Sequence, residues 1–283
     1  MNKLKWLLKV SRPRFWPYLC GPFVVGLIAA ATVEATSTKL LLVAMGLYFT
    51  FSANLLIYGI NDVYDYETDK NNPKKQGYEA LVTPKQHNFL ASAIAVTNFP
   101  FLLPFLFWGS IAASARISLA LFLFFGVAYS APPIRAKVRP VLDTLFNSLY
   151  VFPALVSYGL VTNSWPSPKL FIAAVLWCMA MHAYSAVPDI SADKKAKLST
   201  IATLLGARGT LLFCFVCYMA AAVLSYGVLG WFSVVFGAIY MAMMVRSLTL
   251  PTRDNVFKLY KWFPTLNLIV GFSLFWWVYL VVK

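Results

Sequence analysis

The sequence predicts an all-α, polytopic membrane protein of nine transmembrane helices surrounding a central cavity, and three observations lead there. Mean hydropathy is +0.70 and only 12% of the 283 residues are charged, too few to coat a soluble globule of this length. Apolar runs of the ~20 residues a helix needs to cross a bilayer core recur at 16–35, 38–60, 88–108, 113–131, 142–161, 168–188, 209–227, 229–248 and 264–282. Basic residues are also distributed unevenly between the connections. With nine spans, twenty of the 24 Lys and Arg fall on one side, and Lys39, Arg116, Lys169 and Lys283 on the other. By the positive-inside rule the amino terminus and the basic connections are cytoplasmic and the carboxyl terminus is outside. A missed or added span would scramble this asymmetry.

The expected organisation is one transmembrane domain, 1–283, in the inner membrane of a bacterial or archaeal cell. Residues 1–14 interleave Lys3, Lys5, Lys9, Arg12 and Arg14 with Leu4, Trp6, Leu7, Leu8 and Val10, the pattern of a short amphipathic helix lying in the membrane interface. The first apolar run is long, aromatic and followed by further spans, so it is not a cleaved signal. Connections 61–87 and 189–208 are the cytoplasmic segments that carry polar motifs. Thr83-Pro84 supplies an N-cap and first position for the third span. Cys20, Cys178, Cys214 and Cys217 all lie in apolar runs, where C-x-x-C spacing is read as packing rather than redox or metal chemistry. The formal charge of +14 is accounted for by topology and contact with anionic headgroups, so nucleic acid is not an expected partner, and no obligate protein partner is inferred.

Chemistry concentrates in two acidic stretches. Asn61-Asp62-Val63-Tyr64-Asp65-Tyr66-Glu67-Thr68-Asp69 places four of the chain's ten acids within eight positions, directly after a long apolar run. On a continuous helix Asp62, Asp65 and Asp69 share one face. The sixth span ends in His182-Ala183-Tyr184-Ser185-Ala186-Val187-Pro188 and is followed by Asp189-Ile190-Ser191-Ala192-Asp193, with the two aspartates one helical turn apart. Like charges at this density call for a cation, and hard oxygen ligands suit Mg²⁺ better than zinc or copper. The plainer reading of either stretch is a solvated loop. Cations lie alongside: Lys70, Lys74 and Lys75 after the first stretch, Lys194, Lys195, Lys197 and Arg208 after the second, and Arg135 and Lys137 on the stiff Pro132-Pro133 turn that follows Tyr129. Six carboxylates in two groups with Arg and Lys around them describe a site for a diphosphate held by Mg²⁺, where metal and cationic side chains stabilise charge developing on a departing pyrophosphate.

At these residues the chain resembles the UbiA superfamily of intramembrane prenyltransferases. The likeness rests on an N-D-x-x-D-x-x-x-D motif (Asn61, Asp62, Asp65, Asp69), a D-x-x-x-D motif (Asp189, Asp193) and the Tyr129-Ser-x-Pro-Pro-x-Arg-x-Lys137 turn, and it runs over most of the chain. The resemblance implies Mg²⁺-dependent transfer of a prenyl group from a prenyl diphosphate to a lipophilic acceptor. It implies that Asn61, Asp62, Asp65, Asp69, Asp189 and Asp193 bind two Mg²⁺ ions, and that Arg135, Lys137 and Lys74 or Lys75, with Lys194 beside the second motif, hold the diphosphate. Ser11-Arg-Pro-Arg-Phe-Trp-Pro-Tyr-Leu-Cys-Gly-Pro22 and His182-Ala-Tyr-Ser-Ala-Val-Pro-Asp-Ile190 look like the lycopene elongase/hydratase branch, which adds a C5 unit from dimethylallyl diphosphate to a linear carotene, with hydration in some members. One departure is Lys197, where the family usually has Gly four residues after the second Asp. It puts the shape of that loop in question.

Three other readings compete. An aromatic prenyltransferase of quinone biosynthesis needs a cation for its acceptor's carboxylate, for which Arg12 or Arg14 is available. A transporter or cation channel is disfavoured because the acids gather at one membrane face. A CDP-alcohol phosphotransferase lacks its D-G-x₂-A-R signature here. Nine Trp, fifteen Tyr and twenty-three Phe can line a carotene tunnel. The proton acceptor stays open among Tyr129, Asp143, His182 and pyrophosphate.

Overall fold

The computed structural model describes residues 2–31, 39–70 and 79–282, and every regular element among them is helical. In chain order we label α1 (Lys3–Val10), α2 (Pro17–Ala30), α3 (Lys39–Tyr64), α4 (Pro84–Phe107), α5 (Ala113–Ser130), α6 (Leu142–Tyr150 with Phe152–Thr162), α7 (Pro168–Lys195), α8 (Ile201–Leu229), α9 (Trp231–Thr249) and α10 (Asp254–Val282). Seven of these, α3, α4, α5 and α7 to α10, are long and apolar enough to cross a membrane. The two halves of α6 meet at 43°, making an eighth if they form one bent span. Helix α2 is apolar but shorter. Each apolar run of the sequence falls on one of these segments. Phe107, Trp231 and Phe272 are each more than 60% exposed on them, a costly surface in water and an ordinary one against lipid tails.

The chain divides into two compact units, one of Met1–Ile134 with Phe152–Trp165, the other of Arg135–Val151 with Pro166–Lys283. In the first, α2 and α5 approach the second half of α6 closely because glycine stands at the crossings. A Cβ on Gly26 would run into the Ala154 carbonyl, and one on Gly159 would come within 2.8 Å of the Ala115 nitrogen. Tyr48, Phe49 and Phe122 fill the interior edge to face, with ring centroids 5.0 and 5.3 Å apart for the Tyr48–Phe49 and Phe49–Phe122 pairs. Helix α1 is amphipathic as expected, and Trp6 and Val10 of its apolar face meet protein while Leu4 stays exposed. Trp6 and Val10 are buried with Leu55 of α3, Leu90 of α4, and Ala80 and Val82 of the segment entering α4. A groove of this depth removes both side chains from solvent, which a headgroup layer does only in part. Thr83 and Gln86 form a reciprocal capping box with Pro84 in the first turn, so α4 begins where the sequence places it.

In the second unit α8 packs between α7 and α9. Tyr218 stacks on Tyr240 at 4.6 Å, the Tyr240 hydroxyl donates to Asn267 at 2.7 Å, and Tyr184 shares a hydrogen bond of 3.2 Å with Ser247. Cys178, Cys214 and Cys217 are buried and free, and the Cys214 thiol faces the Ala180 carbonyl at 3.4 Å, a packing contact. Many of the aromatics are thus engaged with one another inside their own unit.

Candidate active site

The first motif closes α3. Asn61 and Asp62 lie in its last turn, which ends at Tyr64. Asp65 (φ −104°, ψ 5°) interrupts the helix before a single further turn, Tyr66–Asp69. The expected continuous face for Asp62, Asp65 and Asp69 is therefore corrected: the helix breaks at the middle aspartate. Carboxylates are unfavourable at a helix C-terminus, where the dipole is negative, and Asp side chains compete with the backbone for hydrogen bonds. Backbone bonds from Asp65 N–H to Asn61 C=O (3.0 Å) and from Asp69 N–H to Asp65 C=O (2.8 Å) still keep the three close in space.

Asp62 is 2% exposed and accepts from the Arg12 guanidinium at 2.6 Å. Arg12 lies 4.7 Å over the ring of Tyr58, one turn before Asp62 on the same face, and 3.5 Å from Glu79, which also pairs with Arg14. Burial opposes the Arg12 charge, but the carboxylates of Asp62 and Glu79 together with Tyr58 keep its pKa raised. The backbone of Arg12 is left-handed (φ 51°), a conformation a non-glycine residue adopts at a cost of ~1–2 kcal/mol. Pro13 follows it, the Trp16 indole donates to the Ser11 carbonyl at 3.2 Å, and Phe15 packs 5.7 Å from Tyr58. The whole S-R-P-R-F-W run thus wraps the end of α3. Asn61 donates to the Ser130 hydroxyl at 3.0 Å, which joins the Tyr129-Ser130 end of α5 to the same motif and leaves Tyr129 partly buried beside it. Lys70 pairs with Glu67 at 2.5 Å in an exposed position. Lys74 and Lys75 lie outside the described residues.

The second motif ends α7. Asp189 is exposed at the end of a short 3₁₀ turn, and Asp193, one helical turn on, is partly buried and feels the charges of Asp189 and Asp143. Asp189 also lines a small cleft with Pro188, Asp254 and Phe257. The buried Asp143 accepts from Ile201 N–H at 2.9 Å, which ties the first half of α6 to the start of α8, and its other oxygen has no side-chain hydrogen-bond partner among the described residues. That contact gives Asp143 a positional task the sequence did not reveal. Arg135 (φ 45°) begins the turn that carries Lys137. Lys194 is exposed on the helix of the motif.

Lys197 receives a physical explanation. Leu198 N–H bonds to Asp193 C=O (2.9 Å) and Lys197 N–H to Lys194 C=O (3.1 Å), the paired contacts of a Schellman helix end, and Lys197 holds the left-handed position (φ 57°) that usually selects glycine. The loop keeps the shape a glycine would give it, at the cost of backbone strain. Lys197→Gly is expected to stabilise the fold by ~1 kcal/mol and, because the side chain is exposed, to change transfer by less than about threefold. Melting temperature and turnover in detergent measure the two effects. Loss of all transfer would make Lys197 part of the site.

Among the described residues no three His, Cys, Asp or Glu side chains stand close enough to form a metal cage on their own. Carboxylates in small groups nevertheless fit Mg²⁺, which keeps several waters and is held by one or two carboxylates together with substrate phosphates. Partial burial of Asp193 among like charges is an arrangement that such a cation relieves.

Each unit is an apolar helical bundle that carries one carboxylate motif at a helix end, the first closing α3 and the second ending α7. The chain matches the UbiA prenyltransferase family over residues 19–280 and belongs to that family, an integral membrane prenyltransferase. It is 38% identical over 274 residues to a lycopene elongase/hydratase of Haloferax volcanii (95% of this chain, 87% of that one) and 35% identical over 274 residues to one of Haloarcula japonica (95% and 89%). Its fold is similar to that of a UbiA homolog from Archaeoglobus fulgidus bound to GPP and Mg²⁺, with a TM-score of 0.66 at 18% identity over 95% of this chain and 99% of that one.

Proposed function

We propose that the chain transfers a prenyl group from dimethylallyl diphosphate to the end of a linear carotene, lycopene or a close relative, with or without addition of water. One observation supports this reading above the others: the relatives named lycopene elongase/hydratase match along 95% of the chain at 35 and 38% identity. On this reading residues 1–283 work as one transmembrane domain of nine spans, α2 and both halves of α6 included, with the amino terminus and both motifs cytoplasmic.

Asn61, Asp62, Asp65 and Asp69 form one ligand set for Mg²⁺, and Asp189 and Asp193 the other, two ions in all. When bound, the metal supplies neutralising charge for the departing pyrophosphate. Arg135, Lys137 and Lys194, with Lys74 or Lys75, hold the diphosphate oxygens. The bond between C1 of the donor and its oxygen breaks, and the electron pair leaves with pyrophosphate. A terminal double bond of the acceptor then attacks the allylic cation to form the new C–C bond. The resulting tertiary cation loses a proton or takes up water. The candidate proton acceptors are Tyr129, which adjoins the Ser130 bonded to Asn61, Asp143, whose second oxygen is not used by Ile201, His182 and the departing pyrophosphate. Apolar helix walls keep water from quenching the cation too early.

Expression in a bacterium that accumulates lycopene tests the proposal, with extracted pigments read by mass. Products heavier by one or two C5 units, with or without water, are expected. Unchanged lycopene despite good membrane expression and Mg²⁺ would end the carotenoid assignment and turn the search to aromatic acceptors.

A further inference from the structure

Two of the buried or half-buried cations at the first motif are already spoken for by the chain's own acids. Arg12 divides its guanidinium between Asp62 (2.6 Å) and Glu79 (3.5 Å), and Arg14 pairs with the same Glu79. The side chains of Asp62 and Glu79 are 1% and 9% exposed, and that of Arg12 is 15% exposed, so these pairs are shielded and hold their geometry, while Arg14 reaches further out at 46%. Two guanidinium charges face two carboxylate charges. Around it stand aromatic faces, Tyr58 under Arg12 and Phe15 against both Arg14 and Tyr58. Glu79 reaches this place because the chain after it, Ala80 to Val82, is anchored in the core with Trp6, Val10, Leu55 and Leu90.

An acceptor carrying a carboxylate needs a free cation beside the reacting centre, since a buried anion without a partner is strongly disfavoured. Arg12, which touches the motif, and Arg14 beside it on Glu79 are the groups placed to provide one; Asp62 holds the first and Glu79 pairs with both. We infer that Glu79 is a resident carboxylate that closes the Arg12–Arg14 site to acidic acceptors and so restricts the enzyme to neutral, apolar ones. The inference rests on the proposed transfer to a neutral acceptor and names the residue that sets that preference. It treats Glu79 as a specificity determinant outside the metal set, acting through the two arginines.

Binding of benzoate and of its neutral analogue benzamide to the purified, detergent-solubilised protein tests it, read by titration of intrinsic tryptophan fluorescence and by calorimetry. The wild-type protein is expected to bind the two with equal, weak affinity. In Glu79→Gln, Arg14 loses the Glu79 charge while Arg12 keeps Asp62, and benzoate is expected to bind at least about tenfold more tightly than benzamide, as charge-assisted bonds to a guanidinium allow. Glu79→Asp keeps the charge and should behave as wild type, and adding Arg14→Ala to Glu79→Gln should remove the preference. A tenfold benzoate preference in the wild type overturns the inference, and so does a folded Glu79→Gln without one. If Glu79→Gln is too unstable to purify, Glu79→Ala purified in acetate carries the same comparison. Its melting temperature should rise with acetate and not with acetamide, and equal responses overturn the idea. The readout is independent of lycopene turnover, so failure of the carotenoid assignment and failure of this inference are separable.

Discussion

Asp189→Ala is expected to lower prenyl transfer by about 10³-fold, the scale of losing a group that stabilises charge developing in the transition state, while leaving the melting temperature where it was. The carboxylate is exposed, and no side-chain hydrogen bond caps the helix Ile190–Lys195 that follows it. Its removal leaves no cavity and no orphaned buried partner, so activity and stability should separate cleanly. Raising Mg²⁺ should recover part of the loss if the remaining Asp193 still holds an ion weakly. Wild-type turnover in a well-folded Asp189→Ala protein would remove this residue from the metal set.

Asp62→Ala should behave differently, losing transfer to a similar extent and stability as well. Arg12 would keep only the longer 3.5 Å contact with Glu79 in a largely buried position. Breaking a buried pair from one side costs ~3 kcal/mol, which for a chain of this size lowers the melting temperature by roughly 5–10 °C. Asp62→Asn keeps an acceptor oxygen for Arg12 and should recover much of the stability without the transfer. The double variant Arg12→Ala with Asp62→Ala should be less destabilised than the sum of the two single ones, since neither leaves a charge behind. A melting temperature unchanged in Asp62→Ala would show that the Arg12–Asp62 pair contributes no net stability, whatever its geometry.

The two aspartates illustrate what reading along the chain captures and what it leaves out. Both motifs were visible as dense acid in an apolar chain, because the chemical identity of neighbours in sequence is all that such a signal needs. The helix break at Asp65 was not visible, since spacing alone assumes a continuous helix and the cost of crowded carboxylates at a C-terminus appears only when the helix has to end. Lys197 stood out as a departure from a family pattern, and backbone geometry then explained it as a lysine in a glycine's position. Glu79 gave almost no signal. It is a lone acid outside both clusters, and its only local mark is the apolar Ala80 to Val82 stretch that follows it.

Sequence by itself determined the membrane character, the places where helices run, the two acidic motifs and the kinship they carry, because hydropathy, periodicity and motif spacing are properties of residues close together in the chain. Tertiary structure decided which charges meet. Arg12 finds Asp62 across 50 residues and Arg14 finds Glu79 across 65, while Asp143 reaches Ile201 across 58. An ion pair or cap between groups so far apart depends on how helices pack, and packing is fixed by shape and burial summed over many side chains, which no local stretch contains.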